Sequence, residues 1–418
     1  MKSWFALVCL LGLSVSVLGE QIRYDNYKLL RFTPTNEEEL KLLVQLQESN
    51  FGAIFWQEPS RVGKPVDIMF PPHLQGDTFE FLRKRLVSSV MSDNVQTLIN
   101  NEARGLRKNG KALNWDSYGT LEDINDYLSS TAASNSFVQV LSIGKSFEQR
   151  DLNVLKISKS SGADRPAIWI DGGIHAREWI SPAVVTYVIN ELLTSNDTEV
   201  TSITEDFDLY IIPNLNPDGY VYSIDTDRMW RKTRATTNSP LGCRGADANR
   251  NWDYRFDTGG SSDAPCSDTY HGGEGFSQPE TRAASDFYNT IANQTKMFLS
   301  VHSYSQYILL PYGYSNERYP DYAEWMRIGE AAADAIARPY GTQFTVGNIV
   351  DLLYVSSGGS VDWIKGIHDT SVVLAFELRD TGRYGFVLPP DQIRPSGIEF
   401  MEGFKELVRQ LRNRLDMP

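Results

Sequence analysis

Short apolar runs recur through the second part of the chain, and they limit the folds that it can adopt. The runs span residues 152–157, 167–170, 209–212, 297–301 and 372–376. Stretches with helical character lie between them, at residues 182–193, 279–289 and 322–337. Strands that are apolar along their whole length are typical of a sheet covered by helices on both faces. From Trp115 onward the sequence therefore predicts an α/β domain around a mixed, mainly parallel central sheet flanked by helices.

The segment before residue 100 has a different pattern. Strand-like stretches occur at residues 22–32, 53–56, 66–70 and 95–99. One helix is expected after the capping-box pattern Thr35-x-x-Glu38, and a second at residues 77–90. The order β-α-β-β-α-β predicts a small ferredoxin-like α+β domain, which we assign to residues 20–99.

The two predicted domains are joined by a polar, basic stretch at residues 100–111. Its basic residues are Arg104, Arg107, Lys108 and Lys111. One interpretation is a solvated linker. The other is a cleavable connector, because exposed basic residues between two domains are sites for a trypsin-like protease. The second domain then comprises residues 112–418.

The first residues are typical of a secretory signal peptide. Lys2 precedes an apolar stretch at residues 4–18, which is short for a membrane span and is followed by polar sequence. A buried core helix is the alternative. We predict a signal peptide at residues 1–19 and a secreted, extracellular protein. The net charge of −13 makes the chain a poor partner for nucleic acid or an anionic membrane, and we expect neither.

The cysteine count supports the same compartment. Of three cysteines, Cys9 lies in the predicted signal peptide, which leaves Cys243 and Cys266 as a pair. In an oxidising compartment a disulfide between them is the default expectation. Asn196 and Asn293 each begin an N-glycosylation pattern, and the sequence leaves their use open.

Residues that can bind metal or move protons follow three of the apolar runs. His175, His302 and Glu377 each lie at or just after the end of a run. In open α/β sheets, ligands bind at the carboxyl ends of the strands. Glu178 lies three residues after His175, and two histidines with one glutamate leave a coordination position open, as catalytic zinc requires. The pattern predicts one Zn²⁺ per chain; for the His-x-x-Glu pattern alone, a surface pair without metal is the alternative.

Five motifs resemble, in order, those of the pancreatic-type zinc metallocarboxypeptidases of the A/B subfamily. They are His175-Ala176-Arg177-Glu178-Trp179, Asn216-Pro217-Asp218-Gly219, Asp247-Ala248-Asn249-Arg250-Asn251-Trp252, His302-Ser303-Tyr304-Ser305-Gln306 and Phe376-Glu377-Leu378-Arg379-Asp380. The resemblance covers the chain from Trp115 onward, and the segment before it is similar to the activation domain of procarboxypeptidases. It implies a zinc-dependent exopeptidase that removes C-terminal residues from peptides and proteins. It also implies a monomeric zymogen, inhibited by its own activation domain.

The resemblance assigns the central roles. Glu377 is expected to be the general base, and Arg231 to stabilise the developing oxyanion. Asn249 and Arg250 are expected to bind the free carboxylate of the substrate, since a guanidinium can do so through two parallel hydrogen bonds. Tyr354 is expected to cover the bound C-terminal residue.

Other roles leave alternatives open. Arg177 and Tyr304 resemble residues of the neighbouring subsite, although a buried structural tyrosine is the alternative for Tyr304. For Glu377 the alternative is an ion pair with Arg379.

The expected specificity depends on a short stretch of sequence. Val361 corresponds to the pocket floor, where relatives selective for Lys or Arg carry an acid, so a charged C-terminal side chain would be buried without a partner. Leu309, Ile349 and Ala375 are expected to line the same pocket. This predicts a preference for apolar or aromatic C-terminal residues, the carboxypeptidase A type. The neighbouring Asp362 is the reason to retain the basic-residue B type as an alternative.

Two further classes remain as alternatives. A non-catalytic zinc-binding relative would lack a zinc ligand or Glu377, and the sequence has both. A zinc deacylase or amidase related by fold needs neither a carboxylate-binding pair nor an inhibitory front domain. The expected disulfide brackets Asn249 and Arg250, so it would hold the loop that carries them.

Overall fold

The computed structural model describes residues 21–49, 52–106, 113–159 and 165–417. The predicted signal peptide at residues 1–19 lies outside these ranges. So do Arg107, Lys108 and Lys111 of the basic connector. None of the helices within these ranges combines the length and the apolar character needed to cross a bilayer.

The N-terminal domain is a four-stranded antiparallel sheet with two helices. Its elements are β1 (Lys28–Thr33), α1 (Glu37–Ser49), β2 (Ile54–Phe55), β3 (Val66–Phe70), α2 (Asp77–Arg83) and β4 (Val87–Ser92). The strand order is β2-β3-β1-β4. Its core is built from alternate strand residues such as Leu30, Phe32 and Ile68, which pack with Leu43 and Phe79 of the two helices. The ferredoxin-like prediction is confirmed.

Two predicted elements of this domain are wrong in detail. The helix expected at residues 77–90 ends at Arg83, and the fourth strand is β4, in which Val90 pairs with Leu30 of β1. The strand expected at residues 95–99 is instead helix α3 (Val95–Glu102).

Helix α3 packs in the apolar layer between the sheet of the first domain, at Leu29 and Met69, and the second domain. The side chain of Asn94 accepts a hydrogen bond from the backbone N–H of Gln96 and caps the helix. Val95 and Ile99, four residues apart, lie on one face and enter an apolar cluster shared with Met229 and other residues of the second domain. Apolar residues four apart suit this helix better than a short strand.

The second domain alternates strands and helices along the chain. Its strands are β5 (Val138–Lys145), β6 (Asp151–Ile157), β7 (Ala167–Gly172), β8 (Asp208–Ile212), β9 (Thr295–Ser303), β10 (Tyr307–Leu310), β11 (Thr345–Asn348) and β12 (Val372–Leu378). Its helices are α4 (Leu121–Ser134), α5 (Ile180–Thr194), α6 (Thr198–Asp206), α7 (Pro217–Asp225), α8 (Pro279–Ile291), α9 (Tyr322–Tyr340), α10 (Ile349–Leu352), α11 (Ser360–Trp363) and α12 (Ile393–Arg414).

The eight strands form one mixed sheet in the order β11-β10-β12-β9-β7-β8-β6-β5. The four central strands β12, β9, β7 and β8 are parallel, and β6, β5 and β10 pair antiparallel with their inner neighbours. The central strands and β6 contain the five apolar runs, so the predicted fold class is confirmed. Strands β5, β10 and β11 and helix α12 are not among the predicted elements.

The core leads directly to the carboxyl ends of the central strands. Trp169 of β7 stacks on Phe298 of β9 with ring centroids 6.2 Å apart, and Tyr288 of α8 meets it edge-on at 5.6 Å. All three side chains are buried. The indole N–H of Trp169 donates to Asp171 at 2.8 Å, which lies one residue before the end of β7.

The predicted disulfide is present. Cys243 and Cys266 are bonded and lie 23 positions apart in the sequence. Their loop contains the single 3₁₀ turn Ala248–Arg250, so it carries Asn249 and Arg250 as expected. A closed loop of this length stabilises a fold by roughly 3 kcal/mol, since it restricts the unfolded chain.

Candidate active site

The three strand-end residues meet at one edge of the sheet. β12, β9 and β7 are adjacent and parallel, and Glu377 pairs in register with His302. The chain leaves β7 through Gly173, whose φ of +66° and close contact with Asn214 suit glycine. His175 follows two residues later, so the turn aims its ring towards His302.

His175, Glu178 and His302 form a compact group of potential metal ligands. One donor atom from each lies within 4.8 Å of the other two. Nδ1 of His175 is 2.7 Å from Glu178 Oε1, and Nδ1 of His302 is 3.2 Å from Glu178 Oε2. All three side chains are buried. Although burial opposes its charge, the two imidazoles hold the pKa of Glu178 well below its usual range.

The surroundings of the histidines fit a metal. The Nε2 atom of His175 lies 3.1 Å from Asp247 Oδ1. The Nε2 atom of His302 lies 3.1 Å from the hydroxyl of Ser300, which donates to Asp171 at 2.7 Å. Hydrogen bonds of this kind orient the imidazoles of zinc sites and leave the opposite nitrogen for the ion. Two imidazole nitrogens and a buried carboxylate form a donor set that suits Zn²⁺.

Glu377 lies on β12 with one carboxylate oxygen, Oε2, buried and without a hydrogen-bond partner in the described part of the chain. Burial raises its pKa to about 8. The alternative ion pair with Arg379 is not formed, because Arg379 binds Glu399 and Gln392 instead. An unpaired buried carboxyl beside a candidate metal site is typical of a proton-transfer group.

Arg231 is held by a buried carboxylate. Its Nε and Nη2 atoms donate to Asp247 Oδ2 at 3.1 and 2.8 Å, and its Nη1 lies 3.7 Å from Glu178. Burial opposes its charge, but Asp247 and the other acidic neighbours raise the pKa of Arg231 above its usual range. The guanidinium is therefore a fixed positive charge next to the candidate metal ligands.

Arg250 and Asn249 are oriented by backbone contacts. Arg250 donates from Nε to the carbonyl of Gly260 at 3.1 Å and from Nη1 to that of Asn249 at 2.9 Å. The oxygen of the Asn249 side chain accepts from the N–H of Ser360 at 2.9 Å. Within the described ranges, no hydrogen bond involves Arg250 Nη2 or Asn249 Nδ2. The geometry leaves both as donors for a ligand.

Gly358 allows the backbone to approach this pair. Its φ is +71°, and a side chain there would place its Cβ only 2.3 Å from the carbonyl oxygen of Arg250. Tyr354 lies in the preceding turn, with its ring centre 5.8 Å from the Arg250 guanidinium. Burial raises the pKa of Tyr354 to about 12, so its hydroxyl stays protonated at neutral pH.

One cavity of about 100 Å³ joins these groups. Among the residues named from the sequence, it is lined by His175, Glu178, Arg231, Asn249, Arg250, His302, Tyr304, Leu309, Ile349, Tyr354, Val361, Ala375 and Glu377. Arg177 does not line it; its side chain lies beside Phe386, with the guanidinium 4.2 Å from the ring centre.

The apolar part of the cavity has one acidic neighbour, Asp362, whose carboxylate is bound by backbone amides. Leu309, Ile349, Val361 and Ala375 are all buried. The carboxylate of Asp362 also borders the cavity, but it accepts N–H bonds from Gly313 at 2.8 and 3.0 Å and from Tyr314 at 3.0 Å. Its acceptors are therefore engaged by the loop after β10.

Comparison with known proteins identifies the family. A sequence profile described as "Zinc carboxypeptidase" matches residues 124–403, and one described as "Carboxypeptidase activation peptide" matches residues 30–102. The chain belongs to the zinc carboxypeptidase family. It is an enzyme, a zinc-dependent peptidase that carries an activation domain and is made as a zymogen.

Its relatives have both A-type and B-type names. Zinc carboxypeptidase A 1 of Anopheles gambiae is 39% identical over 414 residues, which cover 97% of this chain and 95% of the relative. Carboxypeptidase B of Astacus astacus is 44% identical over 302 residues, which cover 72% of this chain and 99% of the relative. The solved structure of carboxypeptidase A from Helicoverpa armigera matches with a TM-score of 0.86 and 28% sequence identity. The match covers 95% of this chain and 100% of that structure.

The activation domain of this zinc carboxypeptidase covers the cavity. Trp56, Gln57 and Glu58, which follow β2, form one of its walls. Trp56 packs on Phe386 with ring centroids 5.5 Å apart. Asp67 of β3 accepts a hydrogen bond from the hydroxyl of Tyr304 at 2.7 Å. The mouth of the cleft is thus occupied by the enzyme's own front domain.

A buried ion pair anchors the end of the activation domain. Glu102 of α3 makes two hydrogen bonds with Arg228, at 2.6 and 2.7 Å, and both side chains are almost fully buried. Arg228 also donates to the carbonyls of Arg177 and Phe386. This contact ties α3 to the backbone that borders the cleft.

Sequence reasoning missed several supporting residues. Asp247 was named only as part of a motif and Asp171 was not singled out, although they orient His175 and, through Ser300, His302. No sequence pattern singled out Trp56 or Phe386 as functional residues. Their partners come from the other domain, and a single sequence does not reveal contacts between distant segments.

Replacing Asp171 by Asn should weaken zinc binding. The change removes the charge that holds Ser300 against His302, and loss of such a contact typically lowers metal affinity by about 10- to 100-fold. Competition with a chromophoric chelator measures it. Asp286→Asn, an exposed change on α8, is the matched control. Equal zinc affinities for both variants would contradict the role given to Asp171.

Proposed function

We propose that this zinc carboxypeptidase is a secreted enzyme that releases apolar or aromatic residues from the C-termini of peptides and proteins. The observation that carries the proposal is the single cavity shared by the metal-ligand group, Glu377, Arg250 and an apolar wall. A site that binds a free carboxylate beside a closed apolar pocket selects chain ends. The preference for apolar residues goes beyond the family assignment.

The proton-transfer role belongs to Glu377. Zinc held by His175, Glu178 and His302 would supply Lewis-acid polarisation of the scissile carbonyl and of the attacking water. Glu377 takes a proton from that water and delivers it to the leaving amine. The buried carboxyl of Glu377, with one oxygen free of hydrogen bonds in the described part of the chain, is placed to hold the proton between the two transfers.

Arg231 supplies fixed positive charge where negative charge develops. As the carbonyl carbon becomes tetrahedral, its oxygen gains charge, and a pre-oriented donor in a buried site stabilises that state by about 3 kcal/mol. Asp247 fixes the Arg231 guanidinium through two hydrogen bonds, so little reorganisation is needed.

The chain end is recognised by Arg250 and Asn249. Their unpaired donors, Nη2 and Nδ2, suit the two oxygens of the substrate carboxylate. Tyr354 lies over this pair and closes the pocket on the bound residue. A peptide without a free C-terminal carboxylate lacks this contact, which makes the enzyme an exopeptidase.

The pocket composition supports the apolar preference. A Lys or Arg side chain would enter a pocket lined by Leu309, Ile349, Val361 and Ala375 and would have no free carboxylate to pair with. Asp362 is the nearest candidate, and its oxygens already accept the backbone N–H groups of Gly313 and Tyr314. Burying an unpaired charge costs several kcal/mol. Because one relative is named carboxypeptidase B, the test must exclude a preference for basic C-terminal residues.

Activation requires removal of the front domain. A trypsin-like protease that cuts within residues 100–111 breaks the only covalent link between the activation domain and the cleft. The predicted signal peptide at residues 1–19 places this step outside the cell. The site is complete within one chain, which supports a monomer.

Replacing Glu377 by Gln should abolish turnover but leave the fold and the metal in place. The amide cannot accept the proton, and general base catalysis contributes about 10²–10⁴ in rate. The readouts are kcat, zinc content and the unfolding midpoint. Glu330→Gln, an exposed change on α9, is the control. Near-normal kcat in Glu377→Gln would refute the base assignment.

The purified precursor should release Phe from a blocked dipeptide only after limited trypsin cleavage. A zinc chelator should stop the reaction, and a dipeptide ending in Arg should be a poor substrate. Full activity before cleavage would disprove inhibition by the front domain. Release of Arg in preference to Phe would replace the A-type proposal with the B type.

Replacing Val361 by Asp should move the preference towards Arg and Lys, because the new carboxylate would pair with the buried cation. The ratio of kcat/KM for Arg over Phe should rise by at least about tenfold. Val361→Ala, which enlarges the pocket without adding charge, should still prefer Phe. A Val361→Asp enzyme that continues to favour Phe would show that Val361 is not at the pocket floor.

A further inference from the structure

Arg177 is fixed on three sides next to the cleft. Its carbonyl accepts a hydrogen bond from Arg228 at 2.8 Å, and its guanidinium lies over the ring of Phe386. Its Nη1 donates to Asp268 Oδ2 at 3.2 Å. The side chain is only 4% exposed, and its buried Nε has no partner among the described residues.

Asp268 reaches this site from the segment that directly follows the disulfide-bonded loop. It lies two residues after Cys266, in a tight turn in which the N–H of Ser267 donates to the carbonyl of Ala264 at 2.9 Å. Lys232 donates to the carbonyl of Pro265 at 2.6 Å and ties the loop to the segment that carries Arg231. The Asp268 side chain is 48% exposed, in contrast to Arg177.

The Arg177–Asp268 pair lies near the end of the cleft where the peptide upstream of the scissile bond would leave. The apolar pocket closes the cleft beyond Arg250, so the rest of a bound peptide must leave by the opposite end. That end is bordered by Phe386 and Tyr304, and Trp56 of the activation domain occupies it in the precursor. Arg177 lies against the outer side of Phe386.

We propose that Asp268 sets the charge preference of the subsite upstream of the scissile bond. Its carboxylate neutralises Arg177, so an acidic substrate residue gains little from that guanidinium. Its exposed oxygen, Oδ1, has no hydrogen-bond partner in the described structure and attracts a basic substrate residue. The enzyme therefore disfavours acidic residues and accepts basic ones upstream, while the C-terminal pocket requires an apolar residue.

This selectivity rests on the proposed function, and Asp268 acts in it in two ways: it neutralises Arg177, and its free oxygen faces the substrate residue. Without the Asp268 charge, the Arg177 guanidinium would be unpaired at its tip and would attract acidic residues. The chemistry at Glu377 would be unchanged. Hydrolysis of short substrates that do not reach Arg177 should therefore be the same with and without the Asp268 charge.

The test uses the full chain, loaded with zinc and cleaved by trypsin, as the parent enzyme and as Asp268→Asn. The substrates are a blocked dipeptide ending in Phe and blocked tetrapeptides ending in Phe, with Glu, Ala or Lys at the second or third position from the C-terminus. In Asp268→Asn the ratio of kcat/KM for Glu over Lys should rise by about fivefold or more at one of these positions, through KM. Dipeptide hydrolysis should stay within about twofold of the parent.

Two variants complete the design. Asp263→Asn removes an exposed charge five residues before Asp268 and should leave every ratio unchanged. Asp268→Glu retains the charge and should keep the parent preference. If Asp268→Asn leaves the Glu-to-Lys ratio unchanged, or lowers kcat/KM equally on the dipeptide and all tetrapeptides, the role given to Asp268 is wrong. The proposed function is not affected by that outcome. A parent enzyme that does not cleave the dipeptide overturns the proposed function and this inference with it.

Discussion

The buried carboxylate of Asp247 is the contact on which the active site depends. One oxygen accepts from the ring of His175 at 3.1 Å and from the backbone N–H of Asn249 at 2.8 Å. The other accepts two bonds from Arg231. A fully buried charge must be paired, so these partners cannot move independently without leaving it uncompensated. One side chain thus fixes a metal ligand, a cationic group and the turn that carries Arg250.

The activation domain occupies the cleft mouth without reaching the metal ligands. It binds Tyr304 through Asp67, packs Trp56 on Phe386 and joins Glu102 to Arg228. These contacts lie at the end of the cleft where the upstream part of a peptide would leave. The proposed inhibition is therefore a matter of access: the groups to which we assign catalytic roles are already assembled in the precursor, and the front domain covers the path to them.

Much of the fold could be predicted because the five apolar runs form strands buried on both faces, which leave a strong local signal. The edge strand β5 has only one buried residue, Val138, and β10 and β11 have only four residues each, so their signal is weak. The error at Val95–Ile99 has another cause. A short apolar stretch suits a strand or a helix, and the partner that decides between them, around Met229, lies more than 100 residues away.

The sequence by itself determined the chemistry: the ligand types, their placement at strand ends and the motif order identify the family, because each depends on residues close together in the chain. Only the tertiary structure decided which groups remain free. It pairs Arg379 with Glu399 and leaves Glu377 unpaired, engages Asp362 with the amides of Gly313 and Tyr314, and brings Asp268 to Arg177. Whether a charged group acts or only supports depends on partners from distant segments, and these meet only in the folded chain.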